Sequence, residues 1–241
     1  MVRLNKYRKT SERICRLMII KAVIFDMDGV IIDTEPLLAK YWCRAAREFG
    51  FPMEYEHALN LRSCSEKYAS PFLKKIFGDA FDYRTVRARR KELMNEDIEK
   101  NGIVKKKGID ELLDYLDGTD LIKAVATATD LERAEKYLKL IGLYHRFDTV
   151  CCGSMVKNGK PDPDIYFLAA EKIGVAPENC IAVEDSPNGI KSAHSAGMHP
   201  IMVPDLTQPD KELEKLLFGR CDSLLEVKNI LDKLNLHKDE V

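Results

Sequence analysis

The sequence predicts an α/β fold: a doubly wound, Rossmann-like parallel sheet with an inserted α-helical module. Three observations lead there. A short apolar, β-branched run, Ile19 to Phe25, ends directly in Asp26-Met27-Asp28-Gly29. A stretch from Pro36 to about Lys107 has helical periodicity and no convincing strand. From Gly108 onward strands and helices alternate, which calls for right-handed crossovers between parallel strands.

Ile19–Phe25, interrupted only by Lys21 and Ala22, fits a central strand buried on both faces. Within the helical stretch the aromatics Tyr41, Trp42, Phe49, Tyr55, Tyr68, Phe72 and Phe77 supply a core of its own. Its longest helix is expected over Tyr83–Lys100, with Asp82 as N-cap and Val86, Leu93, Met94 and Ile98 as the apolar stripe. Arg84, Arg87, Arg89, Arg90 and Lys91 are then expected on a solvated face, with a phosphate-facing role as the alternative.

The alternating part is expected to run as helix Ile109–Leu116, strand Leu121–Ala126, helix Leu131–Ile141, strand Phe147–Cys151 and helix Asp164–Ile173. Strand Cys180–Val183, helix Gly189–Ala196 and strand Pro200–Val203 follow, and amphipathic helices Lys211–Leu217 and Leu224–Leu236 close the sheet. The expected division is a basic extension over 1–17, a catalytic core over 18–34 and 108–241, and the helical module over 35–107. Met18 is an alternative start of the folded part.

Composition narrows the partners. With 241 residues there is room for one substantial core and a smaller module. A formal net charge of -1 provides no basic field for nucleic acid. The basic segment before Leu17 imitates a signal peptide, but the apolar run that follows is too short to span a membrane and lacks a small-residue cleavage site. Seven cysteines without a CxxC pair point to reduced thiols in a cytoplasm rather than zinc or disulfides. A cytoplasmic monomer acting on a small molecule, without nucleic-acid or membrane partners, is the expectation.

Ligands of such sheets bind beyond the carboxyl ends of the strands, so the residues found there carry the chemistry. Asp26 and Asp28 follow the first strand; one suits a nucleophile, the other a general acid and base. DxDG alone would be no more than a turn. However, each of the next predicted strand ends that matter here is also polar. Thr127 and the backbone N–H groups beside it, including that of Ala128, can donate to phosphate oxygens. Lys160, in the stiff Gly-Lys-Pro-Asp-Pro-Asp loop, can neutralise nucleophile and phosphoryl group. Glu184-Asp185 suit a hard divalent cation, which would also relieve repulsion among the carboxylates.

DMDGV, VATAT, GKPDPDIY and VEDSPNGI together resemble the haloacid dehalogenase superfamily, in its phosphatase and β-phosphoglucomutase-like branch with a helical cap. The resemblance covers almost everything from Met18 onward. It implies Asp26 as nucleophile, Asp28 as acid/base, Thr127 and Lys160 as phosphate holders, and Mg²⁺ held by Asp26, Asp185 and the backbone carbonyl of Asp28. Glu184 would be a direct or supporting ligand. It further implies a mobile cap hinged near Thr34 and Lys107, with Arg62 and Ser63 in the substrate-specificity loop. Leu38 and Asp130 stand where sugar-phosphate mutases of this kind carry a histidine and a lysine. A phosphatase of a small phosphorylated metabolite, perhaps a sugar phosphate, is therefore preferred over a mutase. A non-catalytic binding protein is disfavoured because none of Asp26, Lys160 and Asp185 is lost.

Overall fold

Ala22–Phe25 forms β1, in which all four residues are buried. Val23 and Phe25 join one apolar cluster and Ala22 and Ile24 the other, the period of two expected of a strand covered on both faces. The computed structural model describes residues 19–235; the basic extension and Met18 lie outside it. Ile19 to Lys21 lead into the strand rather than extend it, since Ile19 is largely exposed and Lys21 N–H donates to Asn179 O.

Four helices of the inserted module follow β1: α1 (Glu35–Glu48), α2 (Tyr55–Leu59), α3 (Glu66–Phe77) and α4 (Tyr83–Asn101). The chain then continues through α5 (Ile109–Asp117), β2 (Ile122–Thr127), α6 (Leu131–Leu140), β3 (Thr149–Cys152) and α7 (Asp164–Ile173). It closes with β4 (Cys180–Glu184), α8 (Pro187–Ser195), β5 (His199–Met202), α9 (Lys211–Glu214), β6 (Gly219–Arg220) and α10 (Leu224–Asn235). The strands are all parallel, in the order β3-β2-β1-β4-β5-β6. Helices α7 and α8 cover one face, where β1, β2 and β4 present mostly alanines; α5, α6 and α10 cover the other with larger side chains. No helix among the described residues is long and apolar enough to cross a membrane.

This order fixes where a ligand can sit. The chain winds outward from β1 in both directions, so the crevice beyond the ends of β1, β2 and β4 is the switch point of the sheet. In-register pairing sets Phe25 beside Val125 and Val183, which brings Asp26, Ala126–Thr127 and Glu184 to one level.

The α-helical module packs on itself through Trp42 against Tyr83 (ring centroids 5.5 Å apart) and Phe51 against Phe81 (4.8 Å). Its two connections to the sheet lie side by side: Asp33 N–H donates to Val104 O (2.8 Å) and Lys106 N–H to Ile31 O (2.9 Å). The Asp82 cap on α4 is present, accepting from the N–H groups of Arg84 and Thr85. The expectation of one solvated basic face on α4 is corrected. Arg84 and Arg89 do pair with surface glutamates, but Arg90 is only 3% exposed and Arg87 turns into the pocket described below. The reason is helical period: residue 90 falls on the same stripe as Val86, Leu93 and Met94.

Candidate active site

Asp26 leaves β1 with its N–H donating to Val183 O, so its carboxylate is carried by two strands at once. Lys160 reaches it from the loop before α7. The ammonium donates to Asp26 Oδ1 (2.8 Å), Glu184 Oε1 (2.6 Å) and Ala126 O (3.0 Å), and it is 1% exposed. Burial works against its charge, yet Asp26 and Glu184 outweigh burial and raise its pKa above the ordinary lysine value. Burial also pushes the Asp26 pKa up; Lys160 opposes this, while Glu184, Asp185 and Asp28 add to it.

Glu184 spends both oxygens inside the protein. Oε1 accepts from Lys160 and from the Tyr166 hydroxyl (2.8 Å), and Oε2 from the N–H groups of Asp185 and Ser186 and the Ser186 hydroxyl. Asp26 Oδ2 and Asp185 Oδ1, by contrast, are buried and have no hydrogen-bond partner among the described residues. Ligand oxygens of Asp26, Glu184 and Asp185 lie within 4.8 Å of one another. Two open carboxylate oxygens in a buried acidic cluster suit a hard divalent cation such as magnesium. Burial lifts the Asp185 pKa to about 7, against the pull of Arg62. Gly29 keeps the turn close: its φ is +85°, and a Cβ there would collide with the Asp185 carboxylate.

Asp28 is held differently. The Thr34 hydroxyl donates to Oδ1, and the Thr129 hydroxyl donates to Oδ2 (2.8 Å). Thr127, at the end of β2, accepts from Thr129 N–H (3.1 Å) and lines the pocket together with Ala128.

The loop after α2 brings Arg62 and Ser63 over these strand ends. Ser63 lines the pocket in a left-handed conformation, with φ of +49°. Arg62 is buried rather than on the surface. Its Nη2 pairs with the Asp185 carboxylate and donates to Asp185 O (3.2 Å), Nη1 donates to Thr207 Oγ1 (2.7 Å), and Nε lies 3.2 Å from Glu35 Oε2. The same loop is tied to the sheet where Ser65 N–H donates to Lys160 O (3.0 Å) and Asn188 Nδ2 to Arg62 O (2.9 Å).

All the residues singled out in the sequence thus gather around one crevice, with Lys160, Glu184 and Asp185 forming its floor beside Asp26. Four others were missed. Thr34 and Thr129 escaped because single threonines beside a motif read as helix caps. Glu35 and Tyr166 escaped because nothing local distinguishes them from solvated or core residues. Leu38 lines the pocket, whereas the Asp130 carboxylate turns to Lys91 (2.7 Å).

A model of the family described as haloacid dehalogenase-like hydrolase matches residues 23–203. A phosphorylated carbohydrates phosphatase of Thermotoga maritima is 34% identical over 185 residues, covering 75% of this chain and 83% of that protein. A fructose-1-phosphate phosphatase of Escherichia coli is 31% identical, covering 75% of this chain and 95% of the relative. The crystal structure of a β-phosphoglucomutase from Clostridium difficile superposes with a TM-score of 0.77 at 25% identity, over 91% of this chain and 99% of its own.

Proposed function

The chain belongs to the haloacid dehalogenase-like hydrolases, and we propose that it is a magnesium-dependent phosphatase of small phosphorylated metabolites, sugar phosphates first among them. One observation carries the assignment of the nucleophile. Asp26 Oδ1 is pinned by Lys160, while its other oxygen, buried and without a partner, is open to attack phosphorus.

Asp26 displaces the alcohol and becomes an aspartyl-phosphate. Lys160 lowers the repulsion between the carboxylate and the phosphoryl oxygens, and the Thr127 hydroxyl with the backbone N–H of Ala128 donates to those oxygens. Asp28, oriented by Thr34 and Thr129, protonates the departing oxygen and then takes a proton from the water that attacks the intermediate. Asp26 through the oxygen not used in attack, Asp185 Oδ1 and the backbone carbonyl of Asp28 would hold the metal, with Glu184 fixing Lys160 and the Asp185 turn beside it. Magnesium, when bound, neutralises these carboxylates and polarises the phosphoryl group. Residues 35–107 act as a cap hinged on the paired connections near residues 31–34 and 104–107, closing the Arg62–Ser63 loop over the substrate.

One observation favours water over a sugar as the final acceptor. Leu38 has no proton to relay from the pocket wall. The test is a phosphate-release screen over sugar phosphates, nucleotides and phosphorylated acids with Mg²⁺, run beside Asp26→Asn. Release from at least one class, lost in the variant, is expected. Release of nothing, or turnover surviving in Asp26→Asn, contradicts the reading. Conversion of β-glucose 1-phosphate to glucose 6-phosphate with little free phosphate would favour a mutase instead.

A further inference from the structure

Arg90 of α4 and Arg133 of α6 meet at the wall of the pocket that also holds Asp26 and Asp28, and Arg87 stands one turn from Arg90 on the same wall. Arg90 and Arg133 are 3% and 8% exposed. Buried guanidiniums ordinarily find carboxylates, because an unpaired buried charge is costly. These do not. Among the described residues no ion pair engages Arg87, Arg90 or Arg133, and the Nε of Arg90 and the Nε and Nη1 of Arg133 donate to nothing. What holds them is weak: Arg90 lies over the Trp42 ring (5.3 Å) with a 3.8 Å contact to Met94 sulfur, and Arg133 lies over Tyr137 (5.9 Å) and donates to Thr129 Oγ1 (3.1 Å).

The nearby acids compensate only in part: Asp130, which also attracts Arg133, pairs with Lys91, and Asp28, which attracts Arg90, accepts from Thr34 and Thr129. Arg133 also sits in the first turn of α6, whose dipole adds positive potential there. Burial, then Arg133 and Arg87, push the Arg90 pKa down to about 9, so the three charges strain one another. Thr129 links this wall to the reacting centre, accepting from Arg133 and donating to Asp28.

We infer that Arg87, Arg90 and Arg133 form a second anion site, which selects phosphate esters whose leaving alcohol carries an oxyanion of its own, a carboxylate or a further phosphate. The inference rests on the phosphatase reading and narrows its substrate class. Asp26 takes the reacting phosphoryl group, and the arginine wall takes the far anion.

The test uses matched pairs that differ only in that anion: glycerol 3-phosphate against 3-phosphoglycerate, and fructose 1-phosphate against fructose 1,6-bisphosphate. In the wild type, kcat/KM for the anion-bearing member of at least one pair should exceed that of its partner tenfold or more. Preference in the first pair alone identifies a carboxylate, and in the second alone a phosphate. Arg90→Gln should shrink the preference at least tenfold, mainly through KM, and Arg90→Lys should restore part of it. Arg133→Gln serves as the second variant, with an unchanged Tm required of whichever is read. Equal or better turnover of the uncharged members in both pairs, or a loss in Arg90→Gln that falls equally on both members, overturns the inference while leaving the phosphatase reading intact. If no ester releases phosphate, that reading fails on its own. The anion site is then decided by calorimetric titration of 3-phosphoglycerate and fructose 1,6-bisphosphate: binding weakened tenfold by Arg90→Gln supports it, and no binding refutes it.

Discussion

At the floor of the pocket, where β1 and β4 end, Asp26 and Glu184 share Lys160, Asp185 and Glu35 share Arg62, and Asp28 stands beside them with no ion pair among the described residues. At the wall opposite, where α4 faces α6, three arginines share no carboxylate among the described residues. Both regions are shielded from water, so neither excess is screened, and each is left to be balanced by what the pocket binds. The floor is made by strand ends and is suited to a divalent cation. The wall comes largely from the inserted helices and is suited to an anion. On the proposed reading the sheet supplies the chemistry, and the insert together with Arg133 of α6 supplies the choice of substrate.

The largest perturbation of this contrast is Lys160→Met. It leaves Asp26 and Glu184 buried without their shared cation, and in Mg²⁺-free buffer it should cost about 3 kcal/mol of stability by denaturant unfolding. A loss below the measurement error would mean that the floor's charge is balanced elsewhere. Thr129→Val tests the boundary between the two regions. Removing a donor to Asp28 and an acceptor for Arg133 should lower kcat/KM about 10- to 100-fold without unfolding the protein. An unchanged rate would uncouple wall from floor.

Smaller still is Asp130→Asn. Burial would raise the Asp130 pKa, but Lys91 and Arg133 outweigh it and bring it from 3.8 to about 2. A depressed carboxylate stabilises the fold above its unfolded pKa and loses that stabilisation as pH falls toward the folded one. The variant should therefore be about 1 kcal/mol less stable than wild type at pH 7, allowing for the partial exposure of the pair, and the gap should close between about pH 4 and 2. A gap independent of pH would assign the loss to the α6 cap rather than to charge.

The floor was far more legible in the sequence than the wall. Asp26, Asp28, Thr127, Lys160 and Glu184-Asp185 each follow an apolar run, and parallel pairing in register must bring such strand ends to one level. The helical insert could be seen from its aromatics and its period, but the role of Arg90 could not be read from charge alone. Its place on the stripe of Val86, Leu93 and Met94 was present in the sequence; a charged residue on an apolar stripe carries information only once burial is known. The two-residue strand β6 and the five-residue helix α2 are too short for any period to register. Glu35 and Tyr166 depend on partners far along the chain, Arg62 and Glu184, which no local pattern announces.

The hydrolytic mechanism turns on Asp26 carrying the phosphoryl group. The decisive measurement is mass spectrometry of peptides from protein acid-quenched during turnover of its best ester with Mg²⁺. A phosphoryl group on the peptide containing Asp26, lost on a chase without substrate and absent from Asp26→Asn, is the predicted result. Steady phosphate release with that peptide never modified, even under single-turnover quench, would contradict it.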